Sequence, residues 1–182
     1  SLAKKVHTWT GDAFTSLYNY PLQNDTNKES KVKRIKGSVK SKLNESTAVI
    51  TQDGNTMYFT RNNIMGISRK YDAHKNTLLK IYRAELVNNE WTNVSELPFN
   101  GDDFSTAHPA LSADERTMYF ASDRPGGFGA SDLWQVSVNG NSFGTPQNMG
   151  SEINTEARET FPFISSNNEL YYSSDGRVGL GG

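Results

Sequence analysis

Gly140-Asn141-Ser142-Phe143-Gly144 spells G-x-S-x-G, the pattern that presents a serine nucleophile on a sharp turn between a strand and a helix. Here the five residues follow an alternating apolar run and no helical periodicity comes after them, so they belong to a hairpin. Ser142 is therefore read as a turn residue. The histidines are His7, His74 and His108, and none has His, Asp or Glu neighbours at metal-ligating spacing. Neither a metal nor a cofactor is expected. His108 precedes Pro109 at the start of an apolar strand, where packing or the lining of a channel is its expected role, with contact to a partner if it lines that channel. Asp102-Asp103, Asp114 and Asp123 fall in turns and form no pair suited to acid–base work. The chain reads as a non-enzyme.

Charge and composition narrow the classes further. The formal net charge is −1 and 35% of residues are hydrophobic, with Gly, Asn, Ser and Thr plentiful, a balance that suits short strands and turns. The basic cluster Lys28–Lys42 carries Val32, Ile35 and Val39, the pattern of an irregular strand with solvated lysines. It lacks the aromatic interleaving of a nucleic-acid surface, so no nucleic acid is expected. No apolar run approaches the roughly 20 residues of a membrane span. Cysteine is absent, which removes disulfides and thiolate chemistry.

The elements that must position these residues repeat. Thr47–Phe59 (TAVITQDGNTMYF) aligns without gaps on His108–Phe120 (HPALSADERTMYF), and Phe161–Tyr172 fits with one deletion. The anchors Tyr58, Tyr119 and Tyr171 stand 61 and 52 residues apart, the first spacing being lengthened by the insertion Ile64–Leu78. A second element recurs as Ser16–Leu22, Lys80–Leu86 and Asp132–Val138. Its alternate positions are apolar: Tyr18, Tyr20, Leu22; Tyr82, Ala84, Leu86; Trp134, Val136, Val138. That period of two predicts half-buried strands. Asn139-Gly140 after the last copy is a type I′ hairpin signal.

Each unit thus has an apolar inner strand, a Met-Tyr-Phe strand, an alternating third strand and a hairpin into a weaker fourth. The expected fold class is all-β, a β-propeller of four-stranded antiparallel blades. The phase of the repeat gives the C-terminal half of a blade over 1–46, blades over 47–104 and 105–158, and the N-terminal half of a blade over 159–182. This reads as a segment of a longer propeller, or as half-blades that pair with each other or with those of a second chain.

Laid out this way, the unit resembles the TolB-type WD-like propeller repeat. The residues that carry the resemblance are Pro109, Leu111, Ser112, Asp114, Tyr119, Phe120, Ser122, Asp123, Arg124, Gly126, Gly127, Asp132, Leu133 and Trp134. The third copy keeps Pro162, Ile164, Ser165, Tyr171, Tyr172, Ser174 and Asp175 but has Asn167 where Asp is usual. The first keeps Asp53, Gly54, Tyr58 and Phe59 but has Arg61-Asn62-Asn63 for Ser-Asp-Arg. The stretches GGFGASDLW and GTPQNMGSEINTEARETFPFIS are similar to the propeller of Bacteroidetes OmpA-family proteins, some of them associated with type IX secretion and gliding. The resemblance implies a periplasmic or outer-membrane-associated scaffold with protein partners in the envelope, and contact with peptidoglycan only through a domain outside this chain.

Physical reasoning places the motif residues in structural roles. Asp53 and Asp114 are expected to cap turn amides, and Gly126, Gly127 and Gly129 to let the loop cross back. Asp123, Arg124 and Asp132 are expected to pair across that corner. The candidate binding contacts are His108, Asp123 and Arg124, with Arg69 and His74 in the insertion. The rival function is the gating propeller of a serine peptidase whose catalytic domain lies outside this chain.

Overall fold

A computed structural model describes residues 14–22, 31–65, 68–69 and 77–179, and all of its regular structure is β. His74 and the first part of the basic cluster lie outside the described residues. The strands in chain order are β1 (Tyr18–Asn19), β2 (Lys33–Arg34), β3 (Glu45–Ile50), β4 (Thr56–Asn62), β5 (Ile64–Met65), β6 (Ser68–Arg69), β7 (Leu79–Val87), β8 (Glu90–Glu96), β9 (Thr106–Leu111), β10 (Thr117–Ser122), β11 (Asp132–Asn139), β12 (Ser142–Phe143), β13 (Gln147–Asn148), β14 (Glu159–Ile164) and β15 (Leu170–Ser174). They form antiparallel sheets in simple succession. The first complete sheet runs β3-β4-β7-β8, and the second runs β9-β10-β11 with β12 and β13 both pairing to β11. The pairs β1-β2 and β14-β15 flank them, and β5-β6 is a short hairpin in the insertion.

Alternation sets which side chains face which neighbour. On β4, Met57 and Phe59 point one way and join Tyr82, Ala84, Trp91 and Val39 in a core against the β1-β2 side. Tyr58 points the other way and joins Ile81, Phe99, Met118, Phe120, Trp134 and Val136 between the two complete sheets. The core is therefore layered between consecutive sheets, as expected when both faces of a strand are apolar. Of the basic cluster, Val39 is buried and Ile35 partly so, whereas Val32 is exposed.

The turns follow the chemistry of their residues, with one correction. Asn88 and Asn89 both take positive φ (51° and 63°) between Val87 and Glu90, the type I′ pattern. In the second sheet Asn139 pairs with Ser142, so the turn residues are Gly140-Asn141 and not Asn139-Gly140. Only Gly140 has positive φ (58°), the type II′ arrangement, because a glycine at the first turn position is what that type needs. Ser142 is in strand β12, on the hairpin, with no helix behind it.

The linkers between sheets are held by a device the sequence did not announce. Asn100 Oδ1 accepts from the Ile81 N–H (3.1 Å) and its Nδ2 donates to the Ile81 carbonyl (2.8 Å). Asn154 does the same to Leu133, at 2.7 and 3.0 Å. Each side-chain amide acts as one more strand residue, closing a third-strand N–H that burial would leave unpaired and sharing the carbonyl with the Leu97 or Met149 N–H. Asn154→Ala should cost about 1–3 kcal/mol, since it strands the buried Leu133 N–H, while the Leu133 carbonyl keeps the Met149 N–H. Urea unfolding at neutral pH checks this, and a loss within experimental error of zero would show that the clamp carries no stability.

Candidate functional site

The inner strands β3, β9 and β14 each contain an extra residue at the same place. Thr47 and Ala48 lie opposite Phe59, His108 and Pro109 opposite Phe120, and Phe161 and Pro162 opposite Tyr172. In every copy the first residue of the bulge has positive φ: 40° at Thr47, 58° at His108 and 52° at Phe161. Non-glycine residues rarely adopt that region, and a bulge there re-aims the side chain away from the sheet. Pro109 and Pro162 are buried at the second position, where a residue without an N–H leaves no donor unpaired.

These bulges are linked side by side. Thr60 Oγ1 lies 2.7 Å from Thr47 Oγ1 and accepts from the His108 N–H at 2.9 Å. The His108 ring stacks on Phe161 with centroids 3.9 Å apart, and its Nδ1 accepts from the Phe161 N–H at 3.4 Å. Together the three strands line a groove of about 550 Å³ whose walls include Thr47, Val49, His108, Leu111, Phe161 and Phe163. Burial lowers the His108 pKa to about 4. The imidazole is neutral at pH 7, with Nδ1 occupied as an acceptor and Nε2 left as a donor. The groove is an uncharged, largely apolar surface with one aromatic stack and isolated donors, which suits binding and supplies no acid, base or nucleophile pair. Among the described residues no group of His, Asp and Glu is placed to hold a metal ion.

Around the groove the motif residues make the corners. Asp53 Oδ1 accepts from Thr51 Oγ1 (2.6 Å) and the Asn55 N–H (3.0 Å), and Asp114 Oδ1 accepts from Ser112 Oγ (2.6 Å) and the Arg116 N–H (3.1 Å). Those hydrogen bonds, the hydroxyl's foremost, hold both carboxyls below the usual range. The next residue is left-handed in each copy: Gly54 (73°), Glu115 (59°) and Asn168 (63°). In the third copy Ser165 Oγ accepts from the Glu169 N–H, as Ser112 Oγ does from Thr117.

The expected Asp123–Arg124–Asp132 pairing is replaced by three separate contacts. Asp132 is buried and takes the N–H groups of Phe128 (2.6 Å) and Gly129 (3.0 Å), plus Asn148 Nδ2 (2.6 Å). A Cβ on Gly127 would meet Asp132 Oδ2 at 2.6 Å, so this loop needs the absence of a side chain there. Gly126 has φ 91°. Asp123 Oδ1 instead caps the Ser105 N–H at 2.6 Å. Asp175 caps Arg158 in the same way (2.6 Å), and in the first copy Asn62 caps Asn44 (3.2 Å), so Asn62 fills the place of the motif's Asp.

Arg124 is half-buried and its guanidinium is turned inward, while Asp123 before it and Pro125–Phe128 after it are exposed. Its guanidinium sits 4.9–5.3 Å from the ring centroids of Phe104, Phe120 and Trp134, and donates to the Phe99 carbonyl at 2.9 Å. Burial lowers its pKa to about 10, leaving it charged at any physiological pH. Its role is to hold the linker. Arg177 donates to the Glu152 and Ile153 carbonyls in the same fashion. Tyr58 and Trp134 are core residues, Tyr119 is half-buried, and Tyr171 is exposed, with its hydroxyl on Glu169. Arg69 ends strand β6, away from these corners in sequence.

Two sets of residues were missed by the sequence reading. Lys80, buried, binds Glu96 (2.5 Å) and Asp102 (2.8 Å) at the position where the second sheet has Asp132 bound to Asn148. Burial pulls the ammonium's pKa down, but the hydrogen bonds it donates to Asp102 and Glu96 outweigh it and the net shift is upward. Glu45 and Glu159 are buried acceptors for Ser41 and Thr155, each four residues earlier. Their common S/T-x-x-x-E spacing was the available signal.

The sequence matches no protein-family model and no curated protein. Among solved structures, a puromycin-hydrolyzing peptidase of Mycobacterium tuberculosis is similar with a TM-score of 0.43 and 17% identity, over 66% of this chain and 16% of that one.

The His108 environment has a measurable consequence. An unfolded histidine titrates near 6.5 and the folded one near 4, so between those values the unfolded chain binds the extra proton. Stability contributed by the neutral ring is therefore complete above about pH 6.5 and lost as pH falls toward 4. Allowing for partial exposure, the loss from this group is about 1–2 kcal/mol. Urea midpoints at pH 7 and pH 4.5 should differ less in His108→Gln than in the parent chain, and equal differences would refute the assignment.

Proposed function

We propose that this chain is a β-propeller segment of the TolB-like kind, working as a non-catalytic protein-interaction scaffold in a Gram-negative cell envelope. The observation that carries the reading is the groove: three sheets in succession bring Thr47, His108 and Phe161 together at the same bulge and line one apolar surface. A surface of that kind, on rigid strands and rimmed by turns, is suited to an extended or apolar segment of another protein. Four-stranded antiparallel sheets stacked face to face, with the core between them, support the propeller reading. The envelope placement, periplasmic or outer-membrane-associated, rests on the resemblance of the repeat to that of OmpA-family proteins.

A photo-crosslinking residue at Phe163, on the groove wall, tests this in cells of the native host. The tagged protein should fractionate with the periplasm or outer membrane, and irradiation should yield a discrete adduct with one envelope protein. That adduct should fall at least tenfold in a His108→Asp background that places a charge in the groove. A cytoplasmic pool, or adduct formation indifferent to that charge, would count against the scaffold reading.

A further inference from the structure

An asparagine or aspartate followed by glycine is chemically the least durable kind of pair in a chain. The glycine nitrogen can attack the side-chain carbonyl one residue back and close a five-membered imide, because no Cβ crowds its approach. Four such pairs occur here: Asp53-Gly54, Asn100-Gly101, Asn139-Gly140 and Asp175-Gly176. The attack needs a side chain free to rotate onto the next amide, and an amide with no other partner. In three of the four pairs the structure ties one or both.

Asn100 is clamped to both backbone groups of Ile81, and losing its Nδ2 as ammonia would break the bond to the Ile81 carbonyl. Asp53 Oδ1 is fixed by Thr51 and Asn55, and the Gly54 N–H already donates to the Thr51 carbonyl at 2.8 Å. Asp175 Oδ1 caps the Arg158 N–H, and the Gly176 N–H donates to Ser174 Oγ at 3.2 Å. Both of these are carboxylates, poorer electrophiles than an amide. Asn139 differs on every count. It is exposed at the end of β11, and among the described residues nothing bonds its side-chain amide or the Gly140 N–H. Gly140 has nothing within 4 Å of the place a Cβ would take. Its hairpin partner β12 is only two residues long, so this end of the sheet opens at small cost.

We propose that Asn139-Gly140 is a site of spontaneous covalent modification, where Asn139 of the folded protein is converted to isoaspartate and aspartate. The Gly140 nitrogen bonds to Asn139 Cγ, the Cγ–Nδ2 bond breaks, and the amide proton leaves with Nδ2 as ammonia. Water then opens the imide. Cleavage at Cγ gives aspartate, and cleavage at the main-chain carbonyl gives isoaspartate, whose backbone runs through the former side chain. One ammonia is lost and one water gained, with nothing oxidised or reduced. The consequence follows from what the hairpin holds. Asn139 pairs with Ser142 and Val138 with Phe143. Phe143 packs edge-on against Tyr58 and Phe99, with centroids 6.2 and 5.4 Å away, at the core between the two complete sheets. An extra methylene in the backbone at position 139 shifts the register that delivers Phe143 there. The new carboxylate also joins Asp114 and Glu115 around one hollow, where Arg116 is the cation. The modification thus turns the age of the molecule into a looser joint between its sheets.

The folded protein, held at pH 8 and 37 °C and sampled over days, should gain about 1 Da in the peptide that contains Asn139. Isoaspartate methyltransferase should label that same peptide. Asn100 should react at least tenfold more slowly in the folded chain, and at a rate similar to Asn139 in concentrated urea, where its clamp is gone. Asn139→Gln, whose longer side chain closes an imide far more slowly, should abolish the label. The urea midpoint of the parent chain should fall with age, and that of Asn139→Gln should not. An Asn139 that stays intact in the folded protein and reacts only in urea would overturn the site, because the hairpin then protects it. Equal rates at Asn100 and Asn139 in the folded chain would overturn the selectivity. Conversion at Asn139 with an unchanged midpoint would refute the loosening of the joint.

Discussion

The two complete sheets depend on how the linker to the next sheet is fastened. The Asn100 and Asn154 side chains bind the backbone of the third strand behind them, and Arg124 and Arg177 bind the same linkers' carbonyls from the sheet ahead. A linker held from both sides leaves its sheet at a fixed point and enters the next at a fixed point. Only then do Met118, Phe120, Trp134 and Val136 face Tyr58 and Ile81 rather than solvent. The apolar cores are the larger energy, but they are non-directional. The amide and guanidinium hydrogen bonds decide which faces meet.

The slots persist while their chemistry changes. At the start of the third strand one sheet has Asp132 against Asn148 and the other Lys80 against Glu96 and Asp102. At the start of the inner strand Glu45 and Glu159 accept hydrogen bonds, whereas the corresponding Thr106 takes Arg124 Nη2 at 3.3 Å. Each arrangement pairs what it buries, and burying an unpaired polar group would cost more than the sign of the charge could recover. The repeat is thus conserved as geometry and satisfied locally.

This explains what was legible beforehand. Period-two alternation around Tyr82 and Trp134, and the turn residues at Asp53 and Asp114, state their structure in short windows, and the strands and corners follow from them. The partners of Arg124 were not legible, because Phe99, Phe104 and Thr106 lie about twenty residues upstream and nothing local links them. A nearby Asp was the obvious partner for an arginine. The fold instead gives Asp123 to the Ser105 amide and Asp132 to the Gly-rich loop, because backbone N–H groups there would otherwise be buried unpaired. The half-sheets were legible as strands but not as exposed ones, since burial belongs to a neighbour and not to the strand.

The groove gathers what the joints leave over. Once linkers and faces are fixed, each inner strand has an edge with no partner, and a bulge at a left-handed residue turns that edge's side chain out. Such a conformation costs of order 1 kcal/mol or more for Thr, His or Phe and persists only where surrounding contacts over-determine it. Here they do. Thr60 ties Thr47 to His108, and the imidazole ties His108 to Phe161. Strain is held at the same point in three successive strands, beneath an uncharged apolar surface. Asp123 and Arg124, which looked available in the sequence, are spent on holding the linker between the two complete sheets.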